Sequence, residues 1–391
     1  MRKAVFHKSA IILWVIVSLF VAAIAVAIFG LKAQSISAQL KTDRPINILL
    51  IFEQGAKPVS TQLLMFYPSR SKAALLDIPS NTAVILKTIK RMDRIDYTYR
   101  AGNPKTFLTE VSSYLDVQIH GYVLWDEPSL SRTVDLLDGV QLFIPSVILQ
   151  PGLAGIRLPG GAVTLDGDKV AQYLRYKEDG EGDLDLLLRR QKIAVAILKK
   201  FSEKSAYLGD KQAGDALAGS FVSNFSQATR HRLLEEISKF DADSALLQKI
   251  TGIQREVEGN GLFFPFYDGE LARDMLKQTL NAMSSTEVSV SGGKIYTVEI
   301  LNGTSEKGLA SRTADIFESF GYDVVSVGNT DSLELAKTTI IDRFGDKTAL
   351  ANVAGVIRCS TFAEASTYKG SIRADYTIIL GKDFNGRVIV R

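Results

Sequence analysis

Residues 46–52 read Ile-Asn-Ile-Leu-Leu-Ile-Phe, a run of apolar side chains with no polar–apolar alternation. Successive strand side chains point to opposite faces, so such a run suits a strand covered on both sides. The segments that follow supply the cover. Leu63–Tyr67, Ala73–Ile78, Gly121–Trp125 and Val140–Ile144 read as strands. Helical spacing occupies Thr106–Leu115, Pro128–Leu137, a stretch capped by Asp166 and ending near Arg175, Leu184–Phe201, Arg230–Phe240 and Gly269–Met283. Strands interspersed with helices make an α/β sandwich.

Residues 284–293 (Ser-Ser-Thr-Glu-Val-Ser-Val-Ser-Gly-Gly) lose all periodicity and read as an interdomain linker. Beyond them, strands at Ile295–Leu301, Tyr322–Val327, Thr338–Asp342 and Tyr376–Leu380 alternate with helices at Glu306–Phe320 and Lys347–Val356. Residues 294–391 therefore form a small second α/β domain, and Thr304 or Ser305 is the expected cap of its first helix.

Ahead of both domains, Ala10–Leu31 is uncharged and almost wholly apolar, long enough to cross a bilayer as a helix. Arg2, Lys3, His7 and Lys8 precede it, so the positive-inside rule keeps residues 1–9 in the cytoplasm. Residues 32–43 are then a tether, and everything after them lies outside the inner membrane. The run is long for a cleaved signal peptide, and Leu31-Lys-Ala33 is a poor cleavage site.

Forty-six basic and forty-three acidic residues leave no strongly basic face for nucleic acid. One cysteine, Cys359, excludes an intramolecular disulfide framework, and three scattered histidines (His7, His120, His231) argue against a histidine metal centre.

One charge stands out. In the helix over 184–201, Leu186, Ile193, Ile197 and Phe201 fall on one stripe, with Leu187, Ala194 and Leu198 beside it. Arg190 lies at its centre. A guanidinium cannot be buried unpaired, so Arg190 should meet either an acid of the fold or an anionic ligand. Its neighbour Arg189, one turn after Asp185, reads as a surface ion pair.

Several motifs together resemble the LytR–CpsA–Psr family: Asn47-Ile-Leu-Leu, Asp77-Ile-Pro-Ser-Asn-Thr82, Leu165-Asp-Gly-Asp-Lys-Val-Ala-Gln-Tyr-Leu-Arg-Tyr-Lys177 and Arg189-Arg-Gln191, behind an apparent membrane anchor. The resemblance runs over residues 44–283. The module after it, with Val298-Glu-Ile-Leu-Asn-Gly-Thr304, Gly308-Leu-Ala and Val324-Val-Ser-Val-Gly-Asn329, is similar to the LytR C-terminal domain. The resemblance implies an α/β sandwich with a central mixed sheet and a lipid-holding cavity. It also implies transfer of a glycan phosphate from a polyprenyl-pyrophosphate carrier to a cell-wall acceptor. Arginines and magnesium would grip the pyrophosphate, because charge grows on its non-bridging oxygens during transfer.

Carried over position by position, most of that machinery is replaced. Gln54 and Val59 stand where the family has aspartates, and Lys57 and Leu187 where it has arginines. Ser80-Asn81 replaces Arg-Asp. Lysine lacks the bidentate guanidinium fork, and valine offers a metal nothing. Glu53 points to the other face of its strand, and Asp183 and Asp185 read as first-turn helix acids. Arg175, Lys177, Arg190 and Gln191 remain, with Arg189 as a substitute; Arg175 and Lys177 also read as cations at a helix C-terminus.

The expectation is a membrane-anchored extracytoplasmic protein that binds a polyprenyl-linked phosphate or envelope glycan, with no catalytic residue assigned, no metal site and no required cofactor. An active phosphotransferase using magnesium is the alternative. A DNA-binding regulator is set aside on topology and on the lack of a basic stripe.

Overall fold

The computed structural model describes residue 40 and residues 44–390 apart from 151–154, 177–182, 258, 285–295, 331–333, 344, 346 and 365–373. The apolar span at 10–31, the linker at 285–293 and Lys177 lie outside these residues. Among the described residues no helix is long and apolar enough to cross a membrane.

The first domain is built on a mixed sheet of six strands: β1 (Ile46–Gln54), β2 (Lys57–Tyr67), β3 (Lys72–Asp77), β4 (Gly121–Trp125), β5 (Val222–Ser223) and β6 (Leu246–Lys249), in the spatial order β5-β4-β1-β2-β3-β6. β1 runs parallel to β4 and antiparallel to β2, and β3 runs parallel to β6. Gly55 and Ala56, at φ 56° and 62°, turn the chain between β1 and β2. Two consecutive positive φ values match the right-handed twist of the strands they join.

The apolar run in β1 is covered on both faces, as its parity requires. Ile46, Ile48 and Phe52 enter one core with helices α4 (Asp183–Glu203) and α5 (Gln227–Ile237), through Ile193, Ile197, Phe201, Leu233 and Leu234. Leu49 and Ile51 enter the opposite core with α1 (Lys105–Leu115) and α6 (Glu270–Ser284), through Phe107, Val111, Met275 and Leu276. Helices α2 (Glu127–Leu136) and α3 (Gly167–Arg175) pack on the α4 side. Asp126 caps α2 in a reciprocal capping box with Ser129, and the Asp166 side chain accepts from the Lys169 backbone N–H to start α3. The hairpin of β7 (Gly252–Val257) and β8 (Asn260–Pro265) was not anticipated. Its strands are largely exposed and carry no apolar alternation to announce them.

The second domain holds β9 (Thr297–Asn302), β10 (Asp323–Asn329), β11 (Thr339–Asp342), β12 (Phe362–Glu364) and β13 (Tyr376–Leu380), in the order β10-β9-β13-β11-β12, with α7 (Leu309–Ser319) and α8 (Lys347–Ile357). The expected cap at Thr304 or Ser305 is corrected. Helix α7 starts after Gly308, which has φ 73° and supplies no side-chain cap. Asn302 and Thr304 instead tie the preceding turn: the Asn302 side chain accepts from Thr304 N, and Thr304 Oγ accepts from Glu306 N.

The domains dock. Leu271 of α6 belongs to the second domain's core. Arg387 bridges Glu270 and Asp274, the latter at 2.6 Å, and Tyr267 Oη donates to Gly386 O at 2.7 Å. On β6, Lys249 meets Glu318 of α7 at 3.0 Å.

Candidate functional site

Arg190 sits between two spaces. On one side is a narrow apolar cavity of about 70 Å³ between the sheet and helices α4 and α5, lined by Ile48, Phe52, Trp125, Ile193, Ile197 and Leu234 among others. On the other is a polar cleft of about 430 Å³, lined by Asp77, Ser80, Asn81, Arg94, Leu187, Arg190, Lys249 and Asp315. Arg190 lines both. It is half-buried and makes no hydrogen bond or ion pair with any described residue. The charge it acts on is Asp77.

Asp77 ends β3 and is 1 % exposed. Burial pushes its carboxyl up to about 6, against the opposing pull of Arg190 and a hydrogen bond from Gln62. That bond is long, at 3.5 Å, and Gln62 Oε1 is buried without a partner. A protonated Asp77 carries the donor this oxygen lacks. Lys249 is the register partner of Asp77 on the neighbouring strand, and its ammonium turns to Glu318. Arg94 is already held in a two-point contact with Asp96, at 2.8 and 2.6 Å.

The residues singled out in the sequence divide. Ser80, Asn81 and Leu187 line the cleft with Arg190. Ser80 Oγ donates to Pro58 O at 2.6 Å, and the Asn81 amide donates to Gln254 Oε1 and Gly261 O, both at 3.1 Å. Gln54 and Lys57 pair across the β1–β2 turn, while Val59 packs on the core. Glu53 faces away, as expected, accepting from Tyr99 Oη at 2.5 Å and Gly102 N at 3.0 Å.

Arg175, in the last turn of α3, forms an ion pair with Glu127 at 2.8 Å. Gln191 is buried and donates from Nε2 to Gln248 O at 2.7 Å, joining α4 to β6. Arg189 is the clear correction: it is 8 % exposed, not a surface residue. Its guanidinium lies over the rings of Tyr173 and Tyr176, at 5.1 and 5.0 Å, and donates to Tyr176 O. The tyrosines come from α3 and the residue after it, a tertiary partner that helix spacing within α4 cannot reveal. The side chains of Asp183 and Asp185 lie outside the described residues.

Asp77, Lys249 and Asp315 were missed as site residues. Asp77 had one local signal, an acid inside the apolar run Ala73–Ile78. Lys249 and Asp315 had none, because an edge strand and the other domain bring them in.

Among the described residues, those at the family's metal-binding positions and those lining the cleft offer magnesium few oxygen ligands. Gln54 offers a neutral amide and Val59 nothing, and the two carboxylates lining the cleft share it with three cations. Among the described residues no group of three His, Cys, Asp or Glu is placed to hold a metal ion. What the arrangement can do is hold an amphiphilic anion, its charged head beside Arg190 and its apolar part against the wall of α4.

Solved structures share this fold. The crystal structure of Bacillus subtilis TagV superposes with a TM-score of 0.55 at 20% identity, covering 61% of this chain and 98% of that one. A structure described as TagT bound to LIIa-WTA gives 0.51 at 19% identity, covering 61% and 91%. Residues 25–282 match the LytR_cpsA_psr family, and the chain belongs to it. Residues 295–384 match the family described as LytR cell envelope-related transcriptional attenuator. A curated relative, the polyisoprenyl-teichoic acid–peptidoglycan teichoic acid transferase TagU of Bacillus licheniformis, is 24% identical over 175 residues. That match covers 43% of this chain and only 56% of the relative.

Proposed function

We propose that this protein is an extracytoplasmic cell-envelope protein, anchored by residues 10–31 with its N-terminus inside, that binds a polyprenyl-linked phosphate or envelope glycan without magnesium-dependent transfer. One observation carries the reading. Arg190, without a hydrogen bond or ion pair to any described residue, stands at the junction of an apolar cavity and a polar cleft, where a lipid tail and its phosphate part company. A guanidinium held there gains a charge-assisted contact from a phosphate and breaks no hydrogen bond or ion pair with a described residue, though its pull on the Asp77 charge is then shared. The cavity is narrow, so a long prenyl chain enters only if α4 and α5 move apart from the sheet. The relative's name, a teichoic acid transferase, supports a lipid-linked glycan as the ligand class.

Loss of the transfer step rests on Gln54, Val59, Ser80 and Asn81 at the positions where the family carries its acids and an arginine. The test uses the purified chain, a polyprenyl-phosphate in detergent micelles, and a polyprenyl-pyrophosphate-linked glycan with magnesium. Binding without turnover is expected. Turnover would make the protein a phosphotransferase after all, and absence of binding would remove the reading altogether.

A further inference from the structure

The cleft is not closed by its own domain. Asp315 of α7, in the second domain, stands on its lip, and Glu318, one turn further along the same helix, reaches Lys249 at 3.0 Å. Lys249 is the last residue of β6 and lines the same cleft as Arg190. Its side chain is 21 % exposed, against 42 % for Glu318. Asp315 makes no hydrogen bond or ion pair with a described residue. Partial burial, and then the neighbouring Glu318 carboxylate, raise its pKa. Two acids of one domain thus crowd a single lysine of the other.

We propose that Lys249 is a second phosphate-binding cation of the cleft, and that Glu318 of the C-terminal domain occupies it as an internal anion until a phosphorylated ligand displaces it. The inference rests on the reading of the cleft as a phosphate site. Lysine suits an exchangeable role: its ammonium is a point charge with three rotatable donors, and a partly exposed ion pair is weak enough to trade. A pyrophosphate carries more charge than one carboxylate and can span two cations. The C-terminal domain then sets the affinity of the cleft, because its acids must yield before the ligand is gripped from both sides.

Calorimetric titration of the full chain with inorganic pyrophosphate tests this. Glu318→Gln should tighten binding by about threefold or more, since it frees Lys249 from its ion pair. Lys249→Met should weaken binding about tenfold, and in that background Glu318→Gln should have no further effect. Tightening that persists in the double variant would overturn the inference, because Glu318 would then act by general repulsion. So would an unchanged affinity in Glu318→Gln when Arg190→Ala still weakens binding, an outcome that leaves the phosphate reading intact. If the unaltered chain binds neither pyrophosphate nor polyprenyl-phosphate, both readings fall.

Discussion

Arg190→Ala separates ligand binding from fold maintenance, because the structure bounds each effect. A lost charge-assisted hydrogen bond to phosphate is worth about 1.5–3 kcal/mol, so the dissociation constant for polyprenyl-phosphate should rise about 10- to 150-fold. The stability cost has a ceiling. The group Arg190 acts on is Asp77, and an Asp77 deprived of its neighbour escapes by taking up a proton. With a carboxyl pKa of about 6, protonation at pH 7 costs about 1.4 kcal/mol, and that is the most this interaction can contribute to the fold there. At pH 5 the carboxyl is already largely neutral, and the cost should vanish. Lipid-binding titration and thermal unfolding at both pH values provide the comparison. An unchanged dissociation constant combined with a loss of more than about 3 kcal/mol at pH 5 would refute this. Arg190 would then be a structural residue.

Asp77→Asn should stabilise the protein by up to about 3 kcal/mol at pH 8 and by nothing below pH 4. The folded-state pKa lies above the unfolded value of 3.8, so native stability declines as pH rises from about 4 to about 6. Denaturant midpoints across pH would show a parallel shift instead if Asp77 does not titrate. Arg189→Ala should cost about 1–3 kcal/mol, through two lost ring contacts and the lost hydrogen bond to the Tyr176 carbonyl, and a change within 0.5 kcal/mol would contradict its burial. Magnesium should neither bind the chain stoichiometrically nor sharpen its lipid affinity, and a tight one-to-one calorimetric signal would restore the transferase reading. A reporter fused after Arg391 should work only if it is of the kind active outside the cytoplasm, and strong activity of a cytoplasm-only reporter would overturn the proposed topology.

The layering was legible because it follows from parity. A run with apolar residues on both faces of β1 must be roofed twice, and the helices that roof it have clear 3.6-residue stripes. Arg190 was legible for the same reason, as a charge in the wrong place on such a stripe. Arg189 was misread because its ring partners belong to α3 and the following residue, and nothing inside α4 encodes them. Lys249 ends a short, half-exposed edge strand, and Asp315 and Glu318 look like ordinary surface acids of α7. Their meeting depends on how two domains dock, a relation that neither domain's local pattern contains.

Helix α6 has a consequence for dissecting this protein. It places Met275 and Leu276 in the first domain's core and Leu271 in the second's, while Glu270 and Asp274 hold Arg387 near the chain's end. A cut at residue 284, where the chemical pattern breaks, would leave the first piece with a bare leucine and two stranded carboxylates. The second piece would lose part of its floor. Fragments made at the sequence boundary should therefore be stickier and less stable than their parent, and the intact chain should melt in one cooperative step.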